Sequence, residues 1–455
     1  MTSNQPSLKR ILGVGAGLAV SIGIAVGAGI FRTPQGVAQQ LPNAKMIMLV
    51  WLAGGALALV DAFVLAELST FVPKAGGWYA YVRKAYGDFP AFLYGWATTV
   101  VTYPASVAGV ALVLGDYLGA IVRTASGGRI PYGPWQSKAV AVAGIVAFTG
   151  LNLIGVRQTT LAQQAFTAAK ILAVLLVIGV AFGMTSPTGE GAVATAAGMA
   201  ATGAITFAAF GVALQSVMWT FDGYGDAITL AEELKDPARD LPRALLGSIA
   251  LLTALYLTLN AAFLTVLSPI EMTQAGNVAE VVVTRRLGAA GGTLVSALIC
   301  VIVIGGLNAQ LISGPRITFA MARDGLSFDF LSKVNRGGTP SGALILHAAC
   351  AIAFVLYGKF FDLIALTIFI IWLVNVLNVV AVFLFRARYS AESRAFKMPG
   401  YPVIPILALG GYGFALFTMI RETRAPVIAG IIVIFCGVPA FLVWRLTREK
   451  MRNAE

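Results

Sequence analysis

Twelve times along its 455 residues the chain runs apolar for long enough to cross a lipid bilayer, and nothing constrains its fold more. A spanning helix needs about 20 mostly apolar residues, and inside hydrocarbon the backbone must satisfy its own polar groups. The runs fall at 11–39, 46–71, 89–122, 137–154, 162–183, 202–234, 242–267, 291–321, 341–357, 362–386, 402–420 and 426–446. Charged residues make up only 11% of the chain, against roughly 25% in soluble domains. The expectation is an all-α polytopic membrane protein forming one domain. Residues 1–10 are polar and lack a cleavage-site pattern, so no removable signal peptide is expected. Short amphipathic helices are expected at Trp78–Tyr86, along the interface, and at Val278–Leu287.

Two of the runs are interrupted. The first contains Val26-Gly27-Ala28-Gly29-Ile30-Phe31, whose two glycines weaken a helix at that depth. The sixth contains Phe221-Asp222-Gly223-Tyr224-Gly225-Asp226. Irregular backbone is tolerated in a bilayer only where it is buried in protein or lines a cavity. Segments 1–5 and 6–10 thus each begin with a broken helix, and an odd repeat length makes the second half enter from the opposite side. The architecture expected is the LeuT-type 5+5 inverted repeat, over 11–183 and 202–386, with two extra helices at 402–446. Breaks at corresponding places in two halves point to a transporter's substrate site.

Such breaks have a definite chemistry. The start of a half-helix offers free N–H groups to a carboxylate, and the end of the other offers free carbonyls to an ammonium. Gly27, Ala28 and Gly29 are therefore assigned to a carboxylate through their main-chain N–H groups. Ile24, Ala25 and the carbonyls near Phe221 are assigned to an ammonium. The competing reading is close helix packing through small residues, and Gly13, Gly15 and Gly17 are read that way. With the N-terminus inside, the inner loops collect about twice as many Lys and Arg as the outer ones, which places both termini in the cytoplasm. The net charge of +12 therefore sets topology and is not a nucleic-acid patch.

Several stretches resemble the amino acid–polyamine–organocation superfamily, and within it the bacterial amino acid permeases and light-chain-type exchangers. They are Leu8-Lys9-Arg10, Gly27-Ala28-Gly29-Ile30-Phe31, Ala66-Glu67-Leu68 with Pro73-Lys74-Ala75-Gly76-Gly77, and Tyr103-Pro104. Further on come Asp222-Gly223 leading into Ala231-Glu232-Glu233-Leu234-Lys235-Asp236-Pro237, Gly306-Leu307-Asn308-Ala309, Gly314-Pro315-Arg316 and Met321-Ala322-Arg323-Asp324-Gly325. Their order and spacing carry the resemblance. It implies a secondary transporter of amino acids in the plasma (bacterial inner) membrane, with alternating access around broken helices 1 and 6 and with no cofactor. Where the family often has Asp-Gly-Trp-Asn, this chain has Asp222-Gly223-Tyr224-Gly225. The aromatic is kept and the amide lost. Trp219 resembles the aromatic that caps substrate in related antiporters, with a plain core tryptophan as the alternative.

Lys170 lies within the fifth run, and ionisable residues at membrane depth default to functional roles. In resembling sodium-independent members such a lysine places its ammonium where relatives bind sodium, between helices 1 and 8. Sodium independence is expected on that ground, with proton cycling left open; a lysine reaching the cytoplasmic surface is the alternative. Asp222 is expected to fix the broken backbone, to pair with a cationic substrate, or to titrate. Asp61 and Asn308 are candidates for gating or coupling. Glu67 and the Glu232-Glu233 pair are read as gate or structural ion pairs, Asp116 as a partner of Arg123, and His347 as a hydrogen-bonded core histidine.

Adjacent glutamates point to different helix faces, so Glu232-Glu233 is no catalytic pair, and the chain is not expected to be an enzyme. Cys300, Cys350 and Cys436 lie in apolar runs and read as small core hydrophobes, with no metal set. The outer loop 123–136 lacks cysteine. A disulfide-linked heavy subunit, as the resemblance would imply for animal exchangers, is therefore not expected; a monomer or homodimer is. An amine or polyamine carrier of the same fold is the second reading, and a sensor or a channel the more distant ones.

Overall fold

The computed structural model describes residues 13–27, 29–72, 77–154, 156–183, 206–231, 234–389 and 395–454. Ala28, Glu232 and Glu233, Leu8-Lys9-Arg10 and residues 73–76 of the motif after Glu67 lie outside the described residues.

The first run forms two helices, α1 (Val14–Ala25) and α2 (Gly29–Gln40). Then come α3 (Ala44–Phe71), the short α4 (Gly77–Tyr86), and α5 (Asp88–Ala97) continuing through a π-type turn (Thr98–Thr102) into α6 (Tyr103–Ala125). α7 (Pro134–Ile154) and α8 (Val156–Gly183) follow. The sixth run is again divided, into α9 (Phe207–Phe221) and a 3₁₀ helix (Tyr224–Leu230). Beyond it lie α10 (Pro237–Leu264), α11 (Pro269–Gln274), α12 (Val278–Arg323), α13 (Ser341–Tyr357), α14 (Phe360–Arg388), α15 (Val403–Glu422) and α16 (Arg424–Ala454). No β-strand occurs among the described residues. α12 is two helices, because Gly288 (φ 74°) turns the chain and separates the short helix expected at Val278–Leu287 from the long one.

Nine helices among the described residues are long and apolar enough to cross a membrane. α13, at 17 residues, is apolar but shorter. With the family reported below, this makes the chain an integral membrane protein. Long helices pair by segment number: α1 and α2 meet α9 and the 3₁₀ helix, α3 lies along α10, α6 along α12, and α7 against α13. Fully buried bulk, including Trp51, Phe221, Phe263 and Trp372, fills the space between them.

The C-terminal end of α3 is fixed by charge. Glu67, with 0% exposure, takes Nε and Nη2 of Arg386 at 2.6 Å each and the Met398 N–H at 2.9 Å. Such a paired fork suits arginine, whose rigid guanidinium matches a carboxylate.

Three expectations need correction. Asp116 faces Arg32 (3.6 Å) and accepts from Ser137 Oγ (2.9 Å) rather than pairing with Arg123. Arg123 is seven residues on, about two turns or ~10 Å along the helix, beyond the one-turn spacing at which side chains meet. Among the described residues, of the three early glycines only Gly17 meets a close neighbour, where a Cβ would stand 2.8 Å from Ala244 Cβ; Gly13 and Gly15 have no described atom within 4 Å. Cys300 is buried, but Cys436 is exposed on the outer face of α16, which is apolar all round because lipid replaces a protein partner there. α4 buries Tyr79, Tyr81 and Val82 against protein. Arg83 anchors it to Asp324 at 2.6 Å and to Asp88 at 2.8 Å.

Candidate functional site

Where α1 stops, its last carbonyls lose their helical partners. Val26 N–H caps Ile22 at 2.9 Å. Gly23 O accepts from Lys170 Nζ at 2.9 Å and Ala25 O from the Tyr256 hydroxyl at 3.0 Å. No described residue donates to Ile24 O. Across the gap α2 begins at Gly29, and no described residue accepts from the N–H groups of Gly27 or Gly29. Among the described residues, Ile24 O is thus left without a donor at the end of α1, and the N–H groups of Gly27 and Gly29 without acceptors across the gap.

The second break is built alike. α9 ends at Phe221, and Asp222 N–H reaches back to Met218 O at 3.0 Å. Gly223 takes φ +97°, a conformation costly for any residue with a Cβ. Such a Cβ would also stand 2.6 Å from Ile24 Cγ2, so the two breaks touch here. Ser21 Oγ donates to Tyr224 O at 2.7 Å and adds a second link.

A third link comes from α10. The Tyr256 hydroxyl lies 3.0 Å from Ala25 O and 3.1 Å from Thr220 O, so one proton serves the ends of both half-helices. Its ring is held edge-on by Trp51 (5.6 Å) and Phe221 (5.0 Å). Tyr256→Phe keeps that packing and removes only the hydroxyl. It should cost about 1–3 kcal/mol of stability, because two buried acceptors lose their donor. A shift in the unfolding midpoint of the purified protein checks this; an unchanged midpoint would show that the bridge is not formed.

Between the breaks lies a cavity of about 110 Å³. One water needs about 10–15 Å³ on this measure, so the space suits a molecule of several heavy atoms. Ile24, Ala25, Gly27, Gly29, Asp61, Trp219, Phe221, Asp222, Gly223 and Tyr224 all line it. Trp219 packs edge-on against Phe360 at 5.5 Å, and the Arg32 guanidinium stands 5.7 Å from the same ring, held by Gly276 O at 2.9 Å. Asp222 lies at the second break itself, directly before Gly223. Asp61 accepts from the Tyr224 hydroxyl.

Two expected residues lie outside the cavity wall. Lys170 is fully buried, and besides Gly23 O its Nζ stands 4.0 Å from where a Cβ on Gly306 would be. It therefore joins α8 to α1 beside α12 and does not run to the surface. Asn308 turns to α7, where its Oδ1 accepts from Asn152 Nδ2 at 3.0 Å. His347 sits in the core with its Nε2 2.8 Å from Thr318 Oγ1.

The sequence reading missed Tyr256, Asp226 and the cavity residues of α12 and α14. Asp226 is 5% exposed, lines the cavity and lies 3.4 Å from the Tyr103 hydroxyl. A polar-tipped aromatic inside an apolar run was the available signal for Tyr256, since buried Tyr hydroxyls seek partners.

Comparison with known proteins bears on the whole chain. The family model described as "Amino acid permease" matches residues 12–442. The serine/threonine exchanger SteT of Bacillus subtilis (strain 168) is 32% identical over 446 residues, covering 97% of this chain and 98% of that one. The b(0,+)-type amino acid transporter 1 of Mus musculus is 30% identical, covering 88% and 81%. The Asc-type amino acid transporter 1 of Mus musculus is also 30% identical, covering 98% and 83%.

Proposed function

The chain belongs to the amino acid permease family, within the amino acid–polyamine–organocation superfamily, and from that premise we propose that it is a sodium-independent secondary transporter of amino acids. The observation that carries the reading is the juxtaposition of two broken helices around one cavity. The N–H groups of Gly27 and Gly29 take the α-carboxylate, favoured there by the positive end of α2. The carbonyls of Ile24 and Phe221 take the α-ammonium. Trp219 closes the cavity on the Phe360 side, and Trp78 and Tyr94 on another.

Transport on this reading is a rocking of the two broken helices and their partners about a fixed site. Pairing of segments 1 with 6, 2 with 7, 3 with 8 and 4 with 9 supports the 5+5 inverted repeat. The two divided runs and the shorter α13, added to the nine long helices, support twelve spans. Cytoplasmic termini follow from the basic residues of the inner loops. Lys170 supports sodium independence: its ammonium joins the end of α1 to the flank of α12, a task that a bound cation would otherwise perform. The protein works as a monomer or homodimer with no disulfide-linked subunit.

Counterflow into proteoliposomes tests the reading. Saturable exchange of at least one labelled amino acid is expected, unchanged when choline replaces sodium. Runs with and without a pH gradient separate exchange from proton symport. Non-saturable flux would point to a channel and refute the carrier.

A further inference from the structure

The wall of the cavity away from the half-helix ends carries polar atoms that the backbone cradle does not use. Asp61 on α3 is 4% exposed; one carboxylate oxygen accepts from Tyr224, and the other, Oδ1, has no hydrogen-bond partner among the described residues. Tyr412 stands beside this carboxylate, its hydroxyl accepting from Asn375 Nδ2 at 3.1 Å. Thr367 Oγ1 and Trp372 Nε1, on residues with 0% exposure that line the same cavity, likewise lack partners among the described residues. So does Gln310 Oε1 on α12. Buried polar groups are rarely left unmade in native proteins, and each such exception calls for an explanation. Several around one cavity point to a ligand that supplies the partners.

Charge narrows the ligand. Among the described residues the cavity is lined by three carboxylates, Asp61, Asp222 and Asp226, and by no Lys, Arg or His. Asp222 lies within electrostatic range of both the others. Lys170 is committed to Gly23 O and does not line the wall. A zwitterion bound across the breaks adds no net charge, because its carboxylate and ammonium cancel. Asp61 is buried, and no basic side chain among the described residues lines the cavity beside it; a buried carboxylate without a counter-charge is costly, so the cavity favours a cargo that brings one more positive group. Asp226 is engaged by the Tyr103 hydroxyl, whereas Asp61 keeps one oxygen without a hydrogen-bond partner among the described residues.

We propose that Asp61 receives a cationic group on the substrate's side chain, so that the cargo is an amino acid bearing a second amine or a guanidinium. This rests on the reading of the cavity as the substrate site. The side chain leaves the backbone cradle towards α3 and α14, with Thr367 and Gln310 as further acceptors along its path.

The test uses the full chain in proteoliposomes with labelled L-lysine and, separately, labelled L-serine, competed by L-ornithine, L-arginine, L-leucine and putrescine. Ornithine and arginine should compete at concentrations about tenfold or more below those of serine or leucine, as one charge-assisted hydrogen bond would give. Asp61→Asn should narrow that ratio about tenfold, and Asp61→Glu, which keeps the charge, should preserve the preference for cations. If serine moves while lysine neither moves nor competes, the side-chain site is refuted and the substrate reading survives. If no amino acid moves, the substrate reading itself fails. Putrescine outcompeting lysine would remove the carboxylate contact and overturn the proposal. The unmodified protein decides among these outcomes, so a variant that fails to fold leaves the test intact.

Discussion

Leucine in place of Gly29 abolishes uptake while the protein still reaches the membrane. A Cβ at Gly29 would stand 3.0 Å from Thr220 Oγ1, 3.1 Å from Thr220 Cα and 3.1 Å from Trp219 Cζ3. One of those atoms is backbone, so α2 and α9 must move apart even for a methyl group. A leucine needs far more room, and overpacking of this kind costs about 1–3 kcal/mol. That strain is small against a large helical bundle, yet it falls on the contact that positions the N–H donors of α2 against the end of α9. A misplacement of ~1 Å in a pre-organised site lowers activity about a hundredfold. Uptake per molecule of surface protein is the quantity to measure. Gly27 offers the contrast: a Cβ there meets only Ile24 O at 3.7 Å and Ala25 O at 3.9 Å. Gly27→Ala should therefore keep the packing and act only by crowding the carbonyls that receive the ammonium.

The second large effect is expected at Lys170. Truncation to alanine removes the donor to Gly23 O and leaves that carbonyl buried without a partner, at a cost of about 1–3 kcal/mol. It also opens a void between α8, α1 and α12. Since Lys170 does not line the cavity, substrate affinity should change less than turnover, by the difference between holding the site and moving it. Maximal rate should fall about tenfold or more, the factor equivalent to that free energy, with a smaller change in half-saturation. Replacing sodium by choline should leave the unmodified protein's flux unchanged. Unimpaired flux in Lys170→Ala would show the tether to be dispensable, and a strict sodium requirement would contradict its role.

Much of this arrangement was legible before any coordinates. Helix length and apolarity are local properties, so the runs and both interruptions could be read from residue order alone. Gly223 marks its break because its positive φ selects glycine, and Gly29 marks the other because a Cβ there would press on Thr220 and Trp219. The misses are all partnerships across the bundle. Tyr256 serves two carbonyls 231 and 36 residues away in sequence, and nothing in its neighbourhood announces either. Asp116 was matched to the nearest arginine along the chain, whereas the fold delivers Arg32 from another helix. Thr367, Trp372 and Gln310 look like ordinary members of apolar helices until the cavity they face is known.

The central claim is that peptide groups at two helix breaks hold both ends of an amino acid at once. Its most direct test is equilibrium binding to the purified protein of three forms of whichever amino acid proves to be transported: the free acid, its carboxamide and its N-acetyl derivative. The free acid should bind, and each blocked form should bind about tenfold or more weakly, as loss of a charge-assisted contact at either end requires. Equal binding of the free acid and the carboxamide would contradict the account, because the N–H groups at the start of α2 would then have no carboxylate to hold.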